Sequence, residues 1–361
     1  MLLLFALTAP CGAARRHARL PTFEWGLDVS AAAVYNDNIL RLSGRDTRSF
    51  LSDPATLTEP LKSVDDLETE IALSPRVQWR APQKLMLSAD YRMKAVSRVR
   101  NGFTDYQTHQ FAVSARPRVI GYRWSARARV SAIPSFYLRA YRDRDYGERH
   151  AARFANYEYE GSVRYRVRRD FWAEAAAAWG SYYYNSKFTE YDSEYWTMAA
   201  GVRYALPHEI RLNGSYARVL SVNIGKDQTG ATTIPPSDEP LPIEDTEYGD
   251  AGFHEDEIRT AISAVLPWIK FVKTEADVGY RWRRRVYVTN RSLESDPFHR
   301  GRLDYRHVVT AGLTSSLRAD TKLSSYFSYE TRTAHSPLSS VPAAKDFIRR
   351  EVGLQVTYSL R

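Results

Sequence analysis

From Thr22 to the last residue the chain repeats one pattern: apolar and polar residues alternate for about ten positions, a short turn or a long polar loop follows, and the alternation resumes. The final segment shows it clearly. Ile348, Val352, Leu354, Val356, Tyr358 and Leu360 fall on one parity, and Arg349, Glu351, Gln355, Thr357 and Ser359 on the other. A period of two puts these sets on opposite faces of a strand. Strands of this length, apolar outside and charged inside, suit an all-β, transmembrane antiparallel β-barrel with a polar interior. Helical spanning is excluded, because no stretch approaches the roughly 18 apolar residues a membrane helix needs. The mean hydropathy of -0.47 fits a barrel, whose apolar residues are diluted by the inward-facing half.

About fourteen strand candidates can be marked. Their connections alternate in length. Short turns fall at Ala81-Pro82-Gln83, Ile120-Gly121, Arg169-Asp170, Pro207-His208, Pro267-Trp268 and Ala319-Asp320, and longer loops at 38–65, 141–152, 222–256, 289–301 and 334–345. This asymmetry predicts short periplasmic turns, long extracellular loops and, for an even strand number, both termini in the periplasm of a Gram-negative bacterium. Aromatic placement points the same way. Trp79, Trp124, Tyr204 and Tyr358 are expected near the periplasmic edge, and Tyr35, Trp179, Trp196, Trp282, Tyr305 and Phe327 near the outer edge, all on the apolar parity. Such a girdle implies outer-membrane lipid and lipopolysaccharide as the surrounding partners. Met1 to Ala9 reads as the apolar core of a signal peptide, with cleavage near Ala14. Residues 1–14 are therefore read as a signal peptide, 15–21 as a periplasmic lead-in and 22–361 as the barrel. The single cysteine, Cys11, falls in the signal segment, so the mature chain carries no thiol.

The first strand ends in Val34-Tyr35-Asn36-Asp37-Asn38-Ile39, and the last reads Arg349-Arg350-Glu351-Val352-Gly353-Leu354 followed by Val356-Thr357-Tyr358. These groups resemble the opening and closing strands of bacterial outer-membrane barrels, including the barrel domain of surface lipoprotein assembly modifiers. The resemblance rests on about fifteen residues. It implies an outer-membrane barrel whose C-terminal strand is read by the barrel-insertion machinery. Members of that family also carry an N-terminal helical-repeat domain, which has no counterpart in this sequence.

The inward parity is rich in arginine. Arg123, Arg127, Arg129 and Arg139 share the fifth strand, Arg164, Arg166 and Arg168 the sixth, Arg281, Arg283 and Arg285 the eleventh, and Arg302, Arg306 and Arg318 the twelfth; Arg76, Arg92, Arg116, Arg203, Arg211 and Arg349 add to them. Carboxylates on the same parity include Glu24, Asp28, Glu68, Glu70, Asp90, Glu158, Glu160, Glu174, Asp277, Asp304, Glu330 and Glu351, fewer than the arginines, in keeping with a net charge of +9. Two readings stand. A cationic pore would concentrate anionic solutes, whereas a ladder of Arg–carboxylate pairs would fill and stiffen a narrow barrel. Arg123, Arg127, Arg129, Arg164, Arg166, Arg281, Arg283 and Arg285 are the expected attractors. Arg281, Arg283 and Arg285, with only Asp277 nearby on their face, are the best candidates for an unpaired ladder.

The acidic loop 224–257 carries Asp238, Glu239, Glu244, Asp245 and Glu247 and is broken by Pro235, Pro236, Pro240 and Pro242. It is read either as a gate folded into the lumen or as a solvated surface loop. Chemistry is weakly represented. His307 shares lipid-facing parity with Ser315 and Ser325 without forming a convincing pair, and Asp296 near His299 is an isolated hint of an acid–histidine arrangement. No Cys/His metal spacing or phosphate-cradling glycine loop occurs, and the basic residues match no nucleic-acid fold. The expectation is therefore a non-enzymatic channel for hydrophilic, anionic solutes or polymer segments, with no cofactor and no nucleic acid. Two alternatives stand beside it: an export or assembly platform for surface lipoproteins or polysaccharide working with periplasmic export partners, and a plugged structural barrel with ligand-binding loops.

Overall fold

A computed structural model describes residues 22–54, 60–81, 85–117, 123–142, 149–225, 252–267, 272–294 and 296–360. Seven strands form the first half: β1 (Thr22–Asn36), β2 (Asp66–Arg80), β3 (Leu85–Arg98), β4 (Tyr106–Pro117), β5 (Trp124–Arg142), β6 (Arg149–Arg166) and β7 (Phe171–Tyr184). The second half is β8 (Ser193–Ala205), β9 (Arg211–Asn223), β10 (Phe253–Val265), β11 (Lys273–Tyr287), β12 (Leu303–Ser316), β13 (Thr321–His335) and β14 (Phe347–Leu360). Each strand pairs antiparallel with its sequence neighbours, and β1 closes on β14, so the sheet is a closed barrel with no free edge. Closure satisfies every backbone ladder internally, which a wall immersed in lipid requires.

The period-two alternation decides which way each side chain points. Along β1, Phe23, Trp25 and Tyr35 stand on the outer surface while Val34 and Asn36 are buried inside. On β14, Ile348, Val352, Leu354 and Val356 are exposed outward, and Arg349 and Glu351 turn inward to meet Glu330 and Asn36. Register carries this parity from strand to strand around the ring, for example Tyr35↔Leu67, Ile71↔Ala95, Trp179↔Trp196 and Ile258↔Trp282. By that register Tyr35, Trp79, Trp124, Trp179, Trp196, Tyr204, Trp282, Tyr305, Phe327 and Tyr358 all stand on the outer face.

The two ends of the barrel differ. At the end holding the termini, strands are joined by tight connections. His208 and Glu209 take φ of 61° and 58° between β8 and β9, the left-handed pair that suits a two-residue hairpin turn. At the other end the described parts of the β1–β2, β7–β8, β11–β12 and β13–β14 connections are longer and pack over the mouth. They carry helices α1 (Gly44–Ser52) and α2 (Ser340–Lys345) and three small apolar cores. One holds Ile39, Leu42, Phe50 and Leu61, the second Ala152, Phe188 and Tyr191, the third Phe298, Val341 and Ala344. The protein's apolar packing thus sits in its loop-end mouth, while its middle is lined with charge. The sequence-predicted signal segment and lead-in, residues 1–21, lie outside the described residues.

Candidate functional site

The loop-end mouth is occupied by the β1–β2 connection. Asn38 launches it: its side chain accepts from the Leu42 amide at 2.7 Å and donates to the carbonyls of Leu42 at 2.9 Å and Ile348 at 3.0 Å. Ser43 caps α1, its hydroxyl accepting from the Asp46 amide at 3.1 Å. The segment then reaches opposite walls. Arg41 meets Glu330 of β13 at 3.3 Å, and Asp46 meets Arg139 of β5 at 2.7 Å. Strands 5 and 13 lie on opposite sides of a fourteen-strand ring, so residues 38–52 span the lumen. Burying Ile39, Leu42, Phe50 and Leu61 beneath it is worth about 1.5–3 kcal/mol per side chain.

Charge at this level is paired. Glu330 is 4% exposed and serves Arg41, Arg306 at 2.5 Å and Arg349 at 3.3 Å. Arg98 pairs with Glu68, Arg302 with Asp304 at 2.5 Å, and Arg285 with Glu255 at 2.8 Å. Arg283 sits between Glu255 and Glu257, and Glu257 also holds Arg259. Further down, Arg129 bridges Glu158 and Glu160, Arg127 meets Asp90 at 3.0 Å, and Arg164 meets Glu174 at 2.7 Å. Forks of this kind hold the named arginines in place, each beside a carboxylate.

The termini end is different. A cavity of about 620 Å³ is lined by Arg116, Arg123, Arg164, Arg166, Arg203 and Arg211 together with Trp172. Arg164 has Glu174, and Arg211 has Glu275 at 3.4 Å. Among the described residues, no carboxylate lies within ion-pair distance of Arg116, Arg123, Arg166 or Arg203. Arg166 spends its donors on the carbonyls of Arg168 and Arg169 and stacks over Trp172 at 5.6 Å, and Arg203 donates to the Asn213 side chain at 2.9 Å. A second cavity of about 400 Å³ shares Arg164, Trp172 and Arg203 and continues along β7 to β10. It exists because the lumen-facing residues there are small: Ala176, Ala199, Gly201, Ser215 and Ala261. Four uncompensated guanidinium groups in a concave wall focus a positive field into that space.

The structure thus divides the eight expected attractors. Arg127, Arg129, Arg164, Arg283 and Arg285 are tied to carboxylates, whereas Arg123 and Arg166 are not. Arg281 faces the same side, with its Nε lacking a hydrogen-bond partner. The expectation that Arg281, Arg283 and Arg285 form an unpaired ladder is corrected for the last two. The reason is a boundary: β10 begins at Phe253, so Glu255 and Glu257 belong to a strand and face Arg285 and Arg283 in direct register. They are not part of a loop ending at 257. The loop acids Asp238, Glu239, Glu244, Asp245 and Glu247 lie outside the described residues.

Sequence reasoning missed Arg41, Asp46, Arg139's partner across the lumen, and Arg259. A signal was present: Ser43-Gly44-Arg45-Asp46 has the spacing of a helix N-terminus. The acid–histidine hint resolves into a buried pair, His299 Nδ1 and Asp296 at 2.8 Å, with the imidazole packed on Tyr287. On the outer wall His307 bonds Tyr280 and Ser315 bonds Thr274, so that histidine and serine do not meet. Groups of three or more potential metal ligands are absent among the described residues.

No family model matches the chain, and no curated protein matches its sequence. Solved structures similar in fold include a bacterial polysaccharide outer membrane secretin, at 9% identity and TM-score 0.48 over 93% of this chain and 98% of the other. An anion-selective porin from Comamonas acidovorans aligns at 10% identity and TM-score 0.45 over 94% and 100%. OprD from Pseudomonas aeruginosa aligns at 12% identity and TM-score 0.41 over 93% and 94%.

Proposed function

We propose that this protein is an outer-membrane conduit for anionic solutes or anionic polymer segments, closed at rest by the β1–β2 segment. The observation that carries the reading is the uncompensated cluster of Arg116, Arg123, Arg166 and Arg203 around an unfilled cavity. A barrel built only for strength gains nothing from guanidinium groups left without carboxylates, since their mutual repulsion opposes folding. The same groups give an anion a graded path, with planar forks matched to carboxylate, sulfate or phosphate. The apolar outer wall and closed ladder place the barrel in a bilayer. Tight turns beside the termini support a periplasmic position for that end and an outer-surface position for the long connections.

In this reading the arginine cluster is the periplasmic mouth, and residues 38–52 are the gate. No residue is assigned a catalytic role. Export of a polymer would use the same basic mouth as its entry, which keeps the platform alternative within one mechanism; periplasmic partners would then deliver the cargo. Liposome swelling tests the proposal. Protein lacking residues 40–61, bridged by a short Gly/Ser linker, should admit small anionic sugars faster than cationic ones of equal size. Equal rates for both charges would defeat the anionic assignment.

A further inference from the structure

On the outer wall three neighbouring strands break the apolar pattern at one level. Here β9, β10 and β11 expose Leu212, Leu220, Ile258, Ile262 and Val278. Arg218, Asp256 and Arg284 share that outward parity. They are direct register partners: Asp256 faces Arg218 on one side and Arg284 on the other. The next outward row toward the termini end is Tyr216, Ile258, Trp282 and His307. A charged row set immediately above an aromatic row is the profile of a headgroup boundary.

The charge in this row does not balance. Arg218 Nη1 donates to Asp256 Oδ1 at 2.7 Å, and the Tyr216 hydroxyl reaches the same oxygen at 2.7 Å. Arg284 Nη1 stands 3.8 Å from Asp256 Oδ2, beyond hydrogen-bond distance. The two arginine side chains are 38% and 43% exposed, against 18% for Asp256. One carboxylate therefore serves two guanidinium groups, and the surplus positive charge faces outward beside lipid.

We propose that the Arg218–Asp256–Arg284 row is a docking site for a phosphate of a phosphorylated glycolipid in the outer leaflet. One phosphate supplies the missing negative charge, and the loosely held Arg284 offers the planar fork that binds such a group bidentately. Asp256 holds Arg218 in place and keeps the row from carrying two unbalanced cations into the bilayer wall. The Tyr216 hydroxyl is already committed to Asp256, and Tyr305 stands opposite Arg284 in register. The assignment to the outer leaflet rests on the orientation proposed above.

Native mass spectrometry of the refolded full chain in detergent tests this, with bisphosphorylated lipid A, its dephosphorylated form and phosphatidylglycerol as probes. The wild type should retain bisphosphorylated lipid A at least tenfold more than either control. The neutral variant R218Q/D256N/R284Q should lose that preference. R284Q alone, which leaves the Arg218–Asp256 pair in place, should weaken it by severalfold while migrating as a folded barrel. Equal retention of the dephosphorylated lipid, equal retention of phosphatidylglycerol, or an unchanged preference in the triple variant would each overturn the proposal. Because the readout is lipid retention, a barrel that binds lipid A yet conducts nothing would leave this site standing and remove the channel.

Discussion

At the loop end of the lumen, Glu68, Glu255, Glu257, Asp304 and Glu330 are each at most 6% exposed and each lies beside a guanidinium. At the termini end, Arg116, Arg123, Arg166 and Arg203 line a cavity, and among the described residues none of the four has a carboxylate at ion-pair distance, while Glu174 and Glu275 nearby are taken by Arg164 and Arg211. The same residue type does two jobs within one barrel. Where acids match arginines, the inward-folded connections are anchored to the wall; where they do not, as at Arg116, Arg123, Arg166 and Arg203, guanidinium groups face open space without an ion-pair partner. Arginine abundance alone therefore does not distinguish a stiffened barrel from a pathway; the local ratio of carboxylate to guanidinium does.

The largest effect on this contrast should come from removing the closure. Excising residues 40–61 takes away the Arg41–Glu330 and Arg139–Asp46 anchors together with the apolar core under α1. Open-channel conductance in planar bilayers should rise severalfold, and an unchanged trace would show that the segment does not close the pore. Next in size is charge reversal at the other end. Replacing Arg116, Arg123, Arg166 and Arg203 with Glu should turn anion preference into cation preference, whereas replacing paired Arg127 and Arg129 with Gln should shift it far less. Equivalent shifts from both sets would erase the distinction between the two halves.

A smaller effect is expected on stability. E330Q leaves Arg41, Arg306 and Arg349 clustered without their shared carboxylate, which should cost about 3 kcal/mol. Guanidinium unfolding in micelles followed by tryptophan fluorescence measures it, and a loss below about 1 kcal/mol would show that Glu330 is not the hub of the mouth. The smallest effect concerns pH. The Ser63 hydroxyl, then the Tyr35 hydroxyl and Arg100, hold the Asp65 carboxyl below its usual value at the root of the β1–β2 connection. A lowered value means the anchoring is complete above the ordinary carboxylate value of 3.8 and is lost as pH falls through the lower folded value. Open probability should therefore rise on acidification only below about that pH, and D65N should abolish this rise.

Much of the wall was legible because a period of two is a local property. Parity alone put Arg123 and Arg166 inside and Tyr35, Trp196 and Tyr358 outside. The start of β10 was hidden for a physical reason: Glu255, Asp256 and Glu257 are consecutive acids, so both faces are polar and the alternation vanishes. One of the three, Asp256, faces lipid and the other two face the lumen. Pairing was not legible, because Arg283 finds Glu257 through register between strands rather than through spacing along one. The β1–β2 packing was missed since Ile39, Leu42, Phe50 and Leu61 follow no regular period; they meet only when the chain folds back into the mouth.

The most direct test of the divided lumen is the reversal potential of single channels formed by the protein lacking residues 40–61, measured across a potassium chloride gradient. An anion-selective potential that inverts when Arg116, Arg123, Arg166 and Arg203 are replaced with Glu is the predicted result. A barrel that stays silent without its closing segment, or a potential indifferent to those four arginines, would contradict the account.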